Sequence, residues 1–178
     1  MSEINHDLMW YMAENHPITS GELNEIVVAQ RRYVASMATP GRWQTIEAGG
    51  IVFAMMLGAE QPPAKLECRK FEGLELRGLD LPCSTLIGAV CRNQDLSGAN
   101  LSCSLLCDGD FTGTSFEGAY LSYSDFSRAI LHDCNFKGAT LVGVDIENAD
   151  FTGANMDGAE IVAAKNVDKV IGITLPQE

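Results

Sequence analysis

Histidine is scarce in this 178-residue chain, and basic residues are half as numerous as acidic ones. Three His and 12 Lys plus Arg stand against 24 Asp plus Glu, for a formal net charge of −12 and a pI near 4.5. So few bases argue against direct nucleic-acid binding or an anionic-membrane surface, and leave room for a partner with a basic face. Long apolar runs are missing too. The uncharged run Ala48–Ala59 is twelve residues long, whereas a bilayer needs ~20, so no membrane span is expected. The start, Met1-Ser2-Glu3-Ile4, is acidic and lacks a basic n-region before an apolar segment. A secretory signal is therefore not expected, and the chain is placed in the cytoplasm. There is no G-x-x-x-x-G-K-S/T or G-x-G-x-x-G phosphate loop and no C-x-x-C pair, so neither a cofactor nor a metal is expected. His132 follows an inward leucine and reads as a surface imidazole with no nucleophile marked beside it. No catalytic residues are assigned.

What the chain has instead is a five-residue period. From Phe71 to Ile161 every fifth residue is apolar, nineteen positions in succession, and six of the seven Phe fall in this column. Neither a helix of period 3.6 nor a strand of period 2 produces that spacing. Two residues before each stands a second column of small residues: Ala89, Ala99, Ala119, Ala129, Ala139, Ala149, Ala154 and Ala159, with Ser84, Ser104, Gly109, Thr114, Ser124 and Cys134 between them. Arg69, Leu74, Leu79 and Gln94 break that rule. A chain that buries two residues in five at fixed intervals must turn repeatedly about one axis. Gly78, Gly98, Gly118, Gly138 and Gly158 lie twenty apart and should stack at one corner, where glycine tolerates a positive φ.

Blocks such as Gly98-Ala99-Asn100-Leu101-Ser102, Asn148-Ala149-Asp150-Phe151-Thr152 and Gly153-Ala154-Asn155-Met156-Asp157 resemble the pentapeptide-repeat family motif A-(D/N)-L-x-x. The resemblance implies an all-β solenoid, a right-handed quadrilateral β-helix with four pentapeptides per coil. Residues 68–168 are assigned to it and 169–178 to a C-terminal tail. Ile46, Ile51, Met56 and Leu66 share the phase, so 44–67 are read as a degenerate first coil. Residues 1–43 do not repeat. Ile4, Leu8, Tyr11 and Met12 share a helical face; Thr19-Ser20-Gly21-Glu22 reads as a capping box; Leu23, Ile26, Val27, Val34 and Met37 form an apolar stripe interrupted at Gln30. This helical pair is expected to cap the open end of the solenoid.

Two outward features are candidate contact sites. From Asp80 to Glu160 there are twelve acids and three bases. Folding on twenty-residue coils gathers Asp108, Asp110, Asp125, Asp145, Glu147 and Asp150 into an acidic stripe, although Asp or Asn at these places also serves to bond its own turn. The next face carries Tyr120, Tyr123, Val142 and Val162, a patch for a protein partner or for a second copy in a homodimer. Cys83 and Cys103 are twenty apart, a spacing that suits a disulfide, yet with no export signal the thiols are expected to be reduced. Cys91 and Cys134 fall in inward columns.

The leading reading is a non-enzymatic module that offers rigid faces to a protein partner. The alternative implied by the resemblance is a DNA-mimicking inhibitor or protector of a type II topoisomerase such as DNA gyrase. A second alternative is a secreted bacterial effector whose N-terminal segment is an export signal.

Overall fold

A computed structural model of the chain describes residues 16–37, 43–48, 51–56 and 66–173. Its geometry follows from one recurring torsion. All twenty residues at positions 68, 73, 78 and so on to 163 have a positive φ, between +49° and +77°. Each sits two places after a large inward residue and ends a tight turn. Ala99 N–H thus donates to Leu96 O and Ala119 N–H to Phe116 O, both at 3.0 Å. A left-handed residue at the third place of such a turn is the condition of type II geometry.

Four of these corners close one coil. Parallel bridges link Asp80 to Asn100, Thr85 to Leu105, Val90 to Asp110 and Asp95 to Ser115, always twenty residues apart, and the same four ladders continue coil upon coil. The large inward column is buried from Leu66 to Phe151, and the small column from Ala89 to Ala149 except at Gln94. Phe111, Phe116, Phe126, Phe136 and Phe151 form a continuous stack, with Phe116 and Phe136 parallel at 5.0 Å and Phe126 edge-on to both. Small inward residues that carry a polar group spend it on the backbone: Ser84 Oγ donates to Leu81 O at 2.7 Å and Cys134 Sγ to Phe111 O at 2.9 Å. Among the described residues no buried side-chain nitrogen or oxygen lacks a partner.

The two ends differ from expectation. Residues 43–48 and 51–56 are not parts of a degenerate coil. Strands β1 (Trp43–Ala48) and β2 (Ile51–Met56) pair antiparallel, with Ile46 opposite Phe53 and Ala48 opposite Ile51. The runs are rich in β-branched and aromatic residues and only Gly49-Gly50 separates them in sequence, which favours a hairpin. A coil in that phase would also put the bulky Phe53 in a left-handed corner. The solenoid ladder begins instead at Leu66, whose N–H donates to Thr85 O at 2.7 Å. At the far end it passes the expected boundary at 168: Asp150 bridges Ile171, with one extra residue taken up around the single 3-10 turn Val167–Lys169.

Residues 16–18 stand where an earlier coil would. Pro17 bridges Lys70, and Ile18 N–H donates to Lys70 O at 3.0 Å. Proline lacks a donor and suits such an edge. Helix α1 (Ser20–Met37) follows. The capping box forms as read: Glu22 N–H donates to Thr19 Oγ1 at 3.2 Å and Thr19 N–H to Glu22 Oε2 at 2.9 Å. Ile18 and Leu23 join the solenoid core, with Ile26 and Val27 packed against it. Two departures from pattern acquire reasons here. Gln30 interrupts the apolar stripe because it is buried and its Nε2 donates to Pro82 O. Arg69 breaks the small column because it reaches out to His16 O at 3.1 Å and to the Glu22 carboxylate at 3.3 Å. The first helical segment expected at Ile4–Met12, residues 57–65 and the tail beyond 173 lie outside the described residues. Among the described residues no helix is long and apolar enough to cross a membrane.

The packing sets two stability outcomes. Phe116→Ala should cost ~3–5 kcal/mol by leaving a cavity in the aromatic stack, and Ala139→Phe ~1–3 kcal/mol or more by overpacking. Urea midpoints at unchanged m-value check both.

Candidate functional site

The residue just before each large inward side chain lies on the ladder, and from Asp95 on, where it is Asp or Asn, its side chain closes the next turn. Asp110 Oδ1 accepts from Thr112 N–H at 3.1 Å, Asp125 Oδ1 from Ser127 N–H at 2.8 Å, Asp145 Oδ1 from Glu147 N–H at 3.1 Å and Asp150 Oδ1 from Thr152 N–H at 3.0 Å. These are Asx-turns, which spare the backbone an unmet donor.

At Asp110, Asp145 and Asp150 the carboxylate also meets a partner from another coil. Arg92, eighteen residues before Asp110, places Nε 2.6 Å from Asp110 Oδ2. The same offset sets His132 Nε2 2.9 Å from Asp150 Oδ2. Burial alone would raise the Asp150 carboxyl, but hydrogen bonds from Thr152 and His132 hold it below its usual range. Asp108 occupies a left-handed corner and is 1% exposed. Arg128, at the corner twenty residues on, clasps it with Nε and Nη2 at 2.7 and 2.8 Å. That bond, against an opposing effect of burial, raises the Arg128 guanidinium further. Glu147 pairs with Lys169 at 2.5 Å, and both oxygens of Asp145 accept from Asn166. Asp110, Asp125, Asp145 and Asp150 therefore lie on neighbouring ladders, with Asp108 and Glu147 in the turns between, and the six do not form an open stripe. Asp108 and Asp110 are buried, and four of the six face a basic side chain. Arg92, Arg128 and Lys169 were the residues missed, although Asp110 stands eighteen residues after Arg92 and Asp108 twenty before Arg128.

The apolar face is brought together. Tyr123 N–H donates to Val142 O and Gly143 N–H to Val162 O, both at 2.8 Å, so one corner carries Tyr123, Val142 and Val162 on successive coils. Tyr120 stands on the preceding side of that corner, in a ladder with Thr140 and Glu160. Tyr120, Tyr123 and Val162 are 58%, 66% and 51% exposed, while Val142 is half-buried. The Tyr123 ring lies over Gly143, where an added Cβ would come within 2.7 Å of the ring. Gly143 also has a φ of +67°, so any other residue there meets both strain and collision.

The pentapeptide-repeat family model, eight copies, matches residues 75–113, 102–138, 110–147 and 129–165, together just over half of the chain. The chain belongs to the pentapeptide-repeat family. No curated protein matches it. Among solved structures, it resembles a pentapeptide repeat protein from the Arabidopsis thaliana thylakoid lumen at 25% identity and a TM-score of 0.52, over 58% of this chain and 71% of that one. The cyanobacterial Rfr23 of Cyanothece 51142 is similar at 14% identity and a TM-score of 0.40, over 74% and 78% of the two chains. QnrB1, a plasmid-mediated fluoroquinolone resistance protein, is similar at 16% identity and a TM-score of 0.46, over 57% and 68%. The family fold is a right-handed quadrilateral β-helix, and the four ladders of this chain are its sides.

Within this pentapeptide-repeat rod the buried carboxylate gives a sharp test. Arg128→Ala strips Asp108 of its countercharge and should cost ~3 kcal/mol, the low end for breaking a buried pair because the guanidinium is partly hydrated. Asp125→Asn keeps an oxygen acceptor for its Asx-turn and should stay within ~0.5 kcal/mol of the parent protein. Thermal melts of the two variants check the order.

Proposed function

We propose that this pentapeptide-repeat protein is a non-enzymatic protein-interaction module, and that its contact surface is the Tyr120, Tyr123, Val142 and Val162 face. The observation that carries the reading is the Tyr123 ring seated on Gly143, half-fixed yet widely exposed. Tyrosine is favoured at contact centres, and an aromatic already held by its own backbone loses little freedom on binding. The ladder beneath is continuous, so the face is presented rigidly. In the same reading α1 caps the first coil, since Ile18 and Leu23 cover core that a bare solenoid end would expose.

The DNA-mimic alternative, with gyrase as the partner, needs unneutralised acids at regular spacing. Basic side chains bonded to Asp108, Asp110, Glu147 and Asp150 leave Asp125 and Asp145 as the carboxylates of the expected stripe that bond no basic side chain among the described residues. The charge available for phosphate mimicry is thereby reduced, and the apolar face is the better-supported surface.

A capture experiment from bacterial lysate separates the two. The partner should be retained by an Asp125→Asn, Asp145→Asn variant and lost by at least tenfold with Tyr120→Ala, Tyr123→Ala at unchanged melting temperature. An excess of the parent protein should leave gyrase supercoiling and its quinolone inhibition unchanged; protection of gyrase, abolished by the Asn variant, would reverse the assignment. Deleting residues 1–40 tests the cap: the truncated protein should aggregate, whereas removal of a mere export segment would leave a soluble, cooperatively melting rod.

A further inference from the structure

Side chains in the left-handed corners lean toward the corner twenty residues on. Asn93 covers Gly113, Tyr123 covers Gly143, Asp133 covers Gly153, and Asp108 is clasped by Arg128. In these four cases the next corner holds a glycine that makes room or, at Arg128, a residue that answers chemically. The successor of Cys83 is Cys103. Their φ angles are 57° and 58°, so the two thiols leave the rod in the same direction. The backbone around them is locked: Cys83 N–H donates to Ser102 O at 2.8 Å, Cys103 N–H to Ser122 O at 2.9 Å, and the bridges Asp80–Asn100 and Thr85–Leu105 flank the pair. One coil step of ~4.8 Å lies inside the ~4.4–6.8 Å range of Cα separations for disulfides. Both cysteines are free, Cys103 is exposed, and Cys83 is half-buried.

We propose that Cys83 and Cys103 are a thiol–disulfide exchange site, oxidised to a disulfide across two adjacent coils by a low-molecular-weight disulfide such as oxidised glutathione. The Cys103 thiolate attacks one sulfur of the small disulfide. Its S–S bond breaks, one small thiolate leaves and takes up a proton, and Cys103 holds the other half as a mixed disulfide. Cys83 then gives up its proton and attacks the Cys103 sulfur, and the second small thiol departs. Two protein thiols are oxidised and one small disulfide is reduced to two thiols; an excess of small thiol runs the sequence backwards.

The roles follow from the surroundings. A hydrogen bond from the Cys83 thiol lowers Cys103 below the usual thiol range, which favours its thiolate. The same hydrogen bond, then burial, raises Cys83, which keeps its proton until the Cys103 charge is consumed. Burial pushes Cys107 and Cys134 up to about 12 and raises Cys91, so these thiols do not compete.

The full-length protein is treated with oxidised glutathione at neutral pH, the remaining thiols are alkylated, and peptides are mapped by mass. The expected product lacks two hydrogens, carries a Cys83–Cys103 cross-link and reverts with dithiothreitol. Cys83→Ser should keep one glutathione on Cys103, and Cys103→Ser should take up none and form no cross-link, both melting as folded proteins. Iodoacetamide should modify Cys103 roughly tenfold faster than Cys68 at neutral pH. Six free thiols after treatment, a different intramolecular pair, a disulfide-linked dimer, or equal alkylation of Cys103 and Cys68 would each overturn the assignment.

Discussion

A left-handed backbone at every fifth residue is the constraint on which the rest of this rod depends. It closes each side of the square, points the next large residue inward and sets the twenty-residue step of the ladders. Half of the twenty corners are filled by residues other than glycine, each at a cost of ~1–3 kcal/mol, least for Asn and Asp. Such strain persists only where surrounding bonds over-determine it. They do so here: the N–H of Arg128, a poor occupant of that torsion, is held by Glu147 O at 2.8 Å, and that of Tyr123 by Val142 O at 2.8 Å. The ladder and the buried phenylalanine stack stabilise the corners, and the corners keep both in register.

Because the corners repeat, outward side chains within the regular coils meet at fixed offsets. A step of twenty joins Asp108 to Arg128 and Cys83 to Cys103; a step of eighteen joins Arg92 to Asp110 and His132 to Asp150. Charge on such a surface is settled locally, coil against coil. A net count over a stretch of sequence therefore overstates the field that a partner meets, and the acidic stripe illustrates it. Asp108 and Asp110 are acidic in composition and buried ion-pair partners in the fold.

What was legible in the sequence is whatever the five-residue period itself encodes. The inward Phe and Ala columns, the glycine corners and the buried places of Cys91 and Cys134 all follow from it and lie as read. The capping box at Thr19 and Glu22 was legible for a different reason, since its two bonds lie within three residues of each other. What was hidden depends on a coincidence of period or on a distant contact. Ile46, Ile51 and Met56 keep the phase of a coil and yet belong to an antiparallel pair, because spacing alone carries no strand direction. Gln30 and Arg69 looked like faults in their patterns, and their reasons lie some fifty residues away in sequence.

The corner that carries Cys83 and Cys103 is also the corner of Tyr123, Gly143 and Ala163, one column along the rod. Cys103 N–H bonds Ser122 O, the residue between Leu121 and Tyr123, so the outer thiol stands one coil from the aromatic contact. A cross-link between Cys83 and Cys103 would tie two coils that the ladder already holds, and would leave the inward columns undisturbed. Its effect would therefore be confined to the surface beside Tyr123, where a mixed disulfide adds bulk at Cys103 and the completed disulfide removes a thiolate. In a solenoid with so rigid an interior, chemistry at a corner reaches a partner only by altering what lies next to it in the same column, and here the neighbour is the face on which binding is proposed.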